Sequence, residues 1–224
     1  MHINRQMRER RAVVDKKREL ILKTYGLLKT TSPKDLKIRT IADECGCAST
    51  VIYRNFDDLD HLILFASVKF LENYIIDIKE IVNEQSDPME MLTTMWQVFA
   101  EYAFQTVDVF ELLFWGKYKE RLGDTIFEYY QIFPAEMKQL DGLFTSVFFN
   151  SDIRERTYMI MHRAAVVGYF VYDDVRMLSD MQVHLFYGLL KSYQPVYRQE
   201  GKAEEAAGYY MQMLDALISK FRLR

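Results

Sequence analysis

Arg39, Thr40, Ala48, Ser49, Thr50, Tyr53 and Arg54 carry the clearest chemistry in this sequence. They lie in residues 38–62, IRTIADECGCASTVIYRNFDDLDHL, which break into two short helical patterns joined by a tight turn at Gly46. Two short helices joined by a Gly-containing turn of three or four residues make a helix-turn-helix, which lays its second helix in a DNA major groove. Here the second helix runs near 48–55, and its first residues should face base edges. Ala48, Ser49 and Thr50 offer hydroxyls that bond either kind of base and methyls that suit thymine, but no side chain for a bidentate base contact. Direct readout is therefore expected to be weak, with more of the affinity coming from phosphates and DNA shape. Arg39 and Thr40, early in the first helix near 38–45, are placed to hold phosphates of the other strand. Tyr53 has a second reading, as a core aromatic.

The elements that must position these groups are helices. Only 9 Gly and 4 Pro are spread over 224 residues, too few for the frequent turns of an all-β fold. No segment alternates apolar and polar residues for long, so an all-α fold of nine to ten helices is expected. Helix 1 takes its inner face from Leu20, Ile21, Thr24, Leu27 and Leu28 and breaks at Ser32-Pro33. Asp57-Asp58 caps a long helix expected over 59–84. Further helices are expected near 88–106, 109–121, 124–149, 152–174, 180–198 and 203–222, with Pro134 kinking or splitting the fourth of these spans from 59 onward. The longest apolar stretch, near 159–172, is interrupted by His162 and Arg163, short of the roughly 18 uninterrupted apolar residues of a membrane span. The basic, charged N-terminus does not read as a signal peptide, so a soluble, cytoplasmic protein is expected.

Charge is unevenly divided. Residues 1–56 carry 13 Lys+Arg against 6 Asp+Glu, a net of +7, and the remainder carries a net of −10. The first part suits a polyanion; the second suits some other partner. Cys45 and Cys47 flank the turn, but no nearby His or further Cys completes a zinc site, so both read as small buried residues and no metal or other cofactor is expected. Four scattered His, no Gly-rich phosphate loop and no nucleophile motif leave nothing on which to build an enzyme.

Residues 38–62 also resemble the signature of the TetR family of bacterial transcription regulators. Ile41-Ala42 opens the pattern, Gly46 marks the turn, Tyr53-Arg54-Asn55-Phe56 follows, and Leu62 falls where that family begins its linker helix. The resemblance is specific over about 18–75 and architectural beyond. It implies an N-terminal arm and DNA-binding domain at 1–58 and a ligand-binding and dimerisation domain at 59–224, with 59–84 as the linker. It also places Tyr53 and Arg54 on the phosphate backbone. Three departures stand out: Leu59, flanked by Asp57, Asp58 and Asp60, replaces a phosphate-binding Lys; Lys37 replaces a capping Thr; Cys47 replaces Val. Carboxylates beside DNA repel it. The arm residues Arg5, Arg8, Arg10, Arg11, Lys16, Lys17 and Arg18 are candidates to compensate, in a minor groove or along phosphates, unless the arm is a solvated tail.

The remaining chain is rich in Phe, Tyr, Trp and Met, a composition of packed cores and of apolar pockets alike. The resemblance implies a cavity, for which Trp96 and Tyr130 are candidate walls and His162 and Arg163 candidate polar anchors. Arg163 alternatively pairs with Asp173 or Glu101. The same resemblance implies a homodimer through helices near 152–174 and 203–222, where Ala164, Ala165 and Gly168 would allow close approach. The helix near 180–198 would join that interface or lid the pocket. The function implied is that of a ligand-responsive DNA-binding regulator, a repressor released from a double-stranded operator by a small apolar or aromatic molecule. The rival reading is a co-regulator dimer on the same fold with weak DNA binding.

Overall fold

The computed structural model describes residues 2–84, 87–136, 150 and 152–223. Helix α1 spans His2–Leu28, so the basic arm continues the first helix. Leu20, Ile21, Thr24 and Leu28 of α1 are buried, the spacing of a single helical face. Helices α2 (Ile38–Glu44) and α3 (Ser49–Asn55) pack on that face through Ile41, Ala42, Cys45, Ile52 and Phe56.

The turn between them is set by hydrogen bonding as well as by packing. Cys47 N–H donates to the Ala42 carbonyl and Gly46 N–H to that of Asp43, which together close a Schellman cap. Such a cap needs a left-handed residue, and Gly46 sits at φ +55°. Cys45 is buried and Cys47 half-buried, and burial pushes the Cys45 thiol up to about 11.

Helix α4 (Leu59–Val68) starts at Asp58, whose carboxylate accepts from the His61 amide at 2.9 Å. Every residue from His61 to Val68 is buried, because α4 lies between α1 on one side and α7 and α8 on the other. The helix expected to run unbroken from 59 to 84 is in fact two. It stops at Val68, and α5 (Leu71–Glu84) follows after two turn residues and packs on α6. At the break Phe70 meets the edge of Tyr25, and the Lys69 ammonium reaches Glu72 at 2.8 Å and Glu136 at 3.0 Å. Tertiary contacts made by two ordinary helix formers cause this break, with no Gly or Pro involved.

Helix α6 (Pro88–Gln105) has Pro88 in its first turn and the Asp87 carboxylate on the Met89 and Glu90 amides. It is followed by α7 (Val107–Trp115), a short 3₁₀ turn at Lys119–Arg121, and α8 (Leu122–Ile132). The span expected as a helix over 124–149 ends its described part before Pro134, and 137–149 lies outside the described residues. Helix α9 (Ile153–Val166) ends in a second left-handed glycine, Gly168, at φ +86°. Helices α10 (Val175–Tyr193) and α11 (Lys202–Phe221) complete the order. α6 is the hub of this second part, packed against α5, α9 and α11, with α10 laid on α9 and α11. An isolated antiparallel bridge, Phe170 with Arg222, is the nearest thing to a strand among the described residues. No helix among them is long and apolar enough to cross a membrane.

Candidate nucleic-acid interface

Each face of α3 has a separate job. Ile52 is fully buried and holds the helix to α1 and α2, while Thr50, Tyr53 and Arg54 turn outward. Tyr53 is 58 % exposed, so it is not a core aromatic. Ala48, Arg39 and Thr40 are exposed beside them, and Ser49 is half-buried. Among the described residues, Arg39, Tyr53 and Arg54 make no ion pair or hydrogen bond through their side chains. An aromatic hydroxyl and two guanidinium groups are thus held on a rigid surface with every donor available to phosphate oxygens.

Other basic residues are engaged elsewhere. Lys16 pairs with Glu19, and Lys23 with Glu44. Lys17 bonds Glu128, and Arg18 donates to the Ile132 carbonyl at 2.6 Å, both on the far side of the α1–α8 contact. Lys17 and Arg18 thus join α1 to α8, whereas Lys16 pairs only within α1. The side chains of Arg5, Arg8, Arg10 and Arg11 lie outside the described residues.

The acidic start of α4 is neutralised from within. Asp57 meets Arg121 at 2.5 Å, and Asp58 accepts from Lys117 at 2.7 Å and from the Tyr118 hydroxyl at 2.8 Å. Burial alone would raise the Asp58 carboxyl, but the hydrogen bonds from Lys117, the His61 amide and Tyr118 outweigh it and hold it below the usual carboxylate value. The repulsion expected between this cluster and DNA is accordingly weakened. The same bonds latch the end of the helix-turn-helix to the 116–121 turn ahead of α8.

His61 lies inside the latch, 6 % exposed, among the rings of Phe56, Phe65 and Tyr118. Its Nδ1 accepts from the Asp57 amide at 3.2 Å. Burial, then the nearby Arg121 charge, holds its pKa below the ordinary 6.5, against the pull of Asp57 and Glu128. The unfolded chain thus binds a proton that the folded chain refuses, and stability must fall as pH drops from 6.5 towards the folded value. We expect His61→Gln to flatten thermal stability between pH 7 and 5 relative to the native chain; parallel curves would show that the ring is not held neutral.

The four residues expected to form a ligand pocket do not come together. Trp96 (α6) and Tyr130 (α8) are buried, whereas Arg163 is exposed on α9. His162 is half-buried and bonds the Tyr172 hydroxyl at 2.8 Å on the outer side of the chain. Among the described residues no hydrogen bond, ion pair or ring contact joins any two of these four. The charged group that is buried is Arg156, two turns before Arg163. Its Nε bonds the Asn150 carbonyl and its guanidinium lies 5.2 Å from the Phe114 ring centre. Burial lowers its pKa to about 10. Tyr210, on the apolar stripe of the C-terminal helix that the sequence offers for dimerisation, is instead fully buried in the protomer. Beside it lies Gln182, legible as a polar residue in the apolar stripe Leu178, Val183, Phe186, Leu190. No group of three or more His, Cys, Asp or Glu able to hold a metal occurs among the described residues.

No protein-family model matches this chain, and no curated protein matches it by sequence. Solved structures do. A TetR transcription regulator from Haloarcula marismortui aligns with TM-score 0.57 at 16 % identity, covering 93 % of this chain and 98 % of that one. The TetR-family regulator PfmR from Thermus thermophilus aligns with TM-score 0.51 at 15 % identity, over 88 % and 97 %. The fold is the TetR fold. Coverage of nearly both whole chains means that the likeness extends past the helix-turn-helix to the larger helical part. At such identity the TetR likeness speaks for the fold, and the chemistry must come from the residues just described.

Proposed function

We propose that this chain is a homodimeric, DNA-binding transcription regulator, a repressor released from its operator by a small apolar or aromatic molecule. The observation that carries the proposal is the unpartnered, outward-facing set Arg39, Thr40, Thr50, Tyr53 and Arg54 on a helix-turn-helix within a TetR fold. Residues 1–58 would form the DNA-binding domain and 59–224 the effector and dimer domain. The carboxylate latch and α4 would carry helix movement from one to the other. To switch an operator from nearly full to nearly empty, an effector must favour the released state by about 5 kcal/mol.

The dimer surface supported best keeps the helix expected near 203–222 and replaces the one expected near 152–174 by the helix near 180–198. Ala164 and Ala165, offered with Gly168 for close approach, are buried inside the protomer, and Gly168 is half-buried. The exposed stripes lie instead on neighbouring helices α10 and α11: Met177, Met181 and Gly188 on one, Gly208, Tyr209 and Ala216 on the other. Two copies of this pair would make a four-helix interface and set two recognition helices about 34–36 Å apart. A Cβ built on Gly188 or Gly208 meets nothing within 4 Å, so a larger side chain is harmless to the protomer. Gly188→Arg with Gly208→Arg should turn the dimer into a monomer by analytical ultracentrifugation with helicity unchanged. A dimer that persists would place the interface elsewhere.

Function itself is tested by selecting fragments of the source genome on the purified chain. Enrichment of a sequence with twofold symmetry and half-sites one turn apart is expected. Failure to enrich any sequence, from a chain shown to be a folded dimer, would favour the co-regulator reading, which the lack of a bidentate base-reading residue on α3 also suits.

A further inference from the structure

Trp96, on α6, is 5 % exposed, and its indole Nε1–H has no partner. Gln182, on α10, is fully buried; its Nε2 donates to the Tyr210 hydroxyl at 3.3 Å, while its Oε1 has no partner. Both groups flank the ring of Tyr210 on α11: the Trp96 and Tyr210 rings are 5.7 Å apart and both touch Phe186. A lone donor and a lone acceptor thus sit at one three-helix junction walled by Phe99 and Phe186. Leaving either group unsatisfied in a core is destabilising, a penalty that Phe and Leu at these positions would avoid. Among the described residues no charged side chain makes a hydrogen bond, ion pair or cation–ring contact with Trp96, Gln182, Phe186 or Tyr210, so a charged guest would be buried without a counter-ion.

We propose that this junction is the effector site, and that it takes an uncharged molecule with an apolar, ring-bearing body and one amide-like group that accepts from Trp96 and donates to Gln182. The inference rests on the ligand-responsive reading above and names the class of ligand. The guest completes both hydrogen bonds at once. Seating its body requires α6, α10 and α11 to move apart, since the rings of Trp96, Phe186 and Tyr210 already lie 5.0–5.7 Å from one another. Because α10 and α11 also carry the exposed stripes, occupancy of this site bears directly on how two protomers meet.

Three probes of one shape separate the contributions. 2-Naphthamide accepts and donates, 2-acetonaphthone accepts only, and 2-naphthoate is charged. Isothermal titration of the full-length chain should rank the amide about tenfold or more above the ketone, with the carboxylate weakest. Gln182→Leu should bring the amide and the ketone within about twofold of each other. Trp96→Phe, which keeps an aromatic wall, should weaken both and serves if the first variant is poorly folded. Equal native affinity for amide and ketone, or a preference that survives Gln182→Leu, would overturn the site. So would binding of none of the three, which would leave the two groups bridged only by water. Titrating the amide into the DNA complex keeps the two readings apart. Ranked binding without release of DNA supports the site and counts against the regulatory reading.

Discussion

Replacing Tyr53 and Arg54 together by alanine should weaken DNA binding on the order of a thousandfold while leaving the fold intact. Each hydrogen bond to a charged group is worth about 1.5–3 kcal/mol, and a twofold dimer loses every contact twice. Even the low end of that range, counted over four side chains in two protomers, reaches about 6 kcal/mol, which repacking of water and ions reduces towards the roughly 4 kcal/mol of a thousandfold loss. The structural cost is small because both side chains point outward and neither has a hydrogen-bond or ion-pair partner among the described residues. Substitutions of that kind usually shift stability by less than about 0.5 kcal/mol. Fluorescence anisotropy on a selected duplex measures the first quantity and thermal unfolding the second. Affinity within threefold of the native chain would remove Tyr53 and Arg54 from the interface.

Asp58→Ala is expected to produce the largest loss of stability among the polar changes considered. Its carboxylate caps α4 at the His61 amide, a contact worth up to about 2 kcal/mol, and also accepts from the Tyr118 hydroxyl. The bond to Lys117 adds little, since that lysine is 60 % exposed and solvent screens its charge. A loss of about 2 kcal/mol follows, a fall in Tm of roughly 4–8 °C for a chain of this size. Lys117→Ala should cost less than half as much. The acid dependence has a definite sign. The Asp58 carboxyl is held below its ordinary value of 3.8, so its contribution is complete above that value and is lost as pH falls through the lower, folded one. The gap between the native chain and Asp58→Ala should therefore close in strong acid. Urea unfolding at neutral and acid pH measures it, and a gap of constant size would show that the contribution is not carried by the carboxylate.

How much of this was legible in the sequence depended on whether the cause was local. The helix-turn-helix was readable because Gly46, Ile41, Ile52 and Phe56 settle it within about twenty residues through one left-handed turn and one apolar face. The starts of α6 and α9 were readable from Asp87-Pro88 and Asp152, which act on their own helices. The α4–α5 break was not, because Lys69 and Phe70 are ordinary helix formers and the deciding contacts, Tyr25 and Glu136, are distant in sequence. The same distance hid the partners of Asp57 and Asp58, about sixty residues on, and those of Lys17 and Arg18 on α8.

The interior polar groups show the limit of helical phase as evidence. His162 and Arg163 interrupt an apolar run and so drew attention, yet α9 turns them towards the outside near its end. Gln182 sits within the buried stripe of α10, where nothing local distinguishes it from the other polar residues of that helix. A polar residue that keeps the phase of the core is a better pointer to a buried site than one that merely interrupts an apolar stretch.

The most direct measurement is the salt dependence of binding to a duplex selected from genomic DNA, followed by anisotropy from 50 to 200 mM monovalent salt. Each neutralised phosphate contributes a slope of about −0.9 in log affinity against log salt. With Arg39 and Arg54 on phosphates in both protomers, four contacts, the native chain should show a slope of about −4, and Tyr53→Ala with Arg54→Ala one nearer −2. A slope near zero for the native chain, or no binding from an intact dimer, would contradict the assignment of this helix-turn-helix as a reader of DNA.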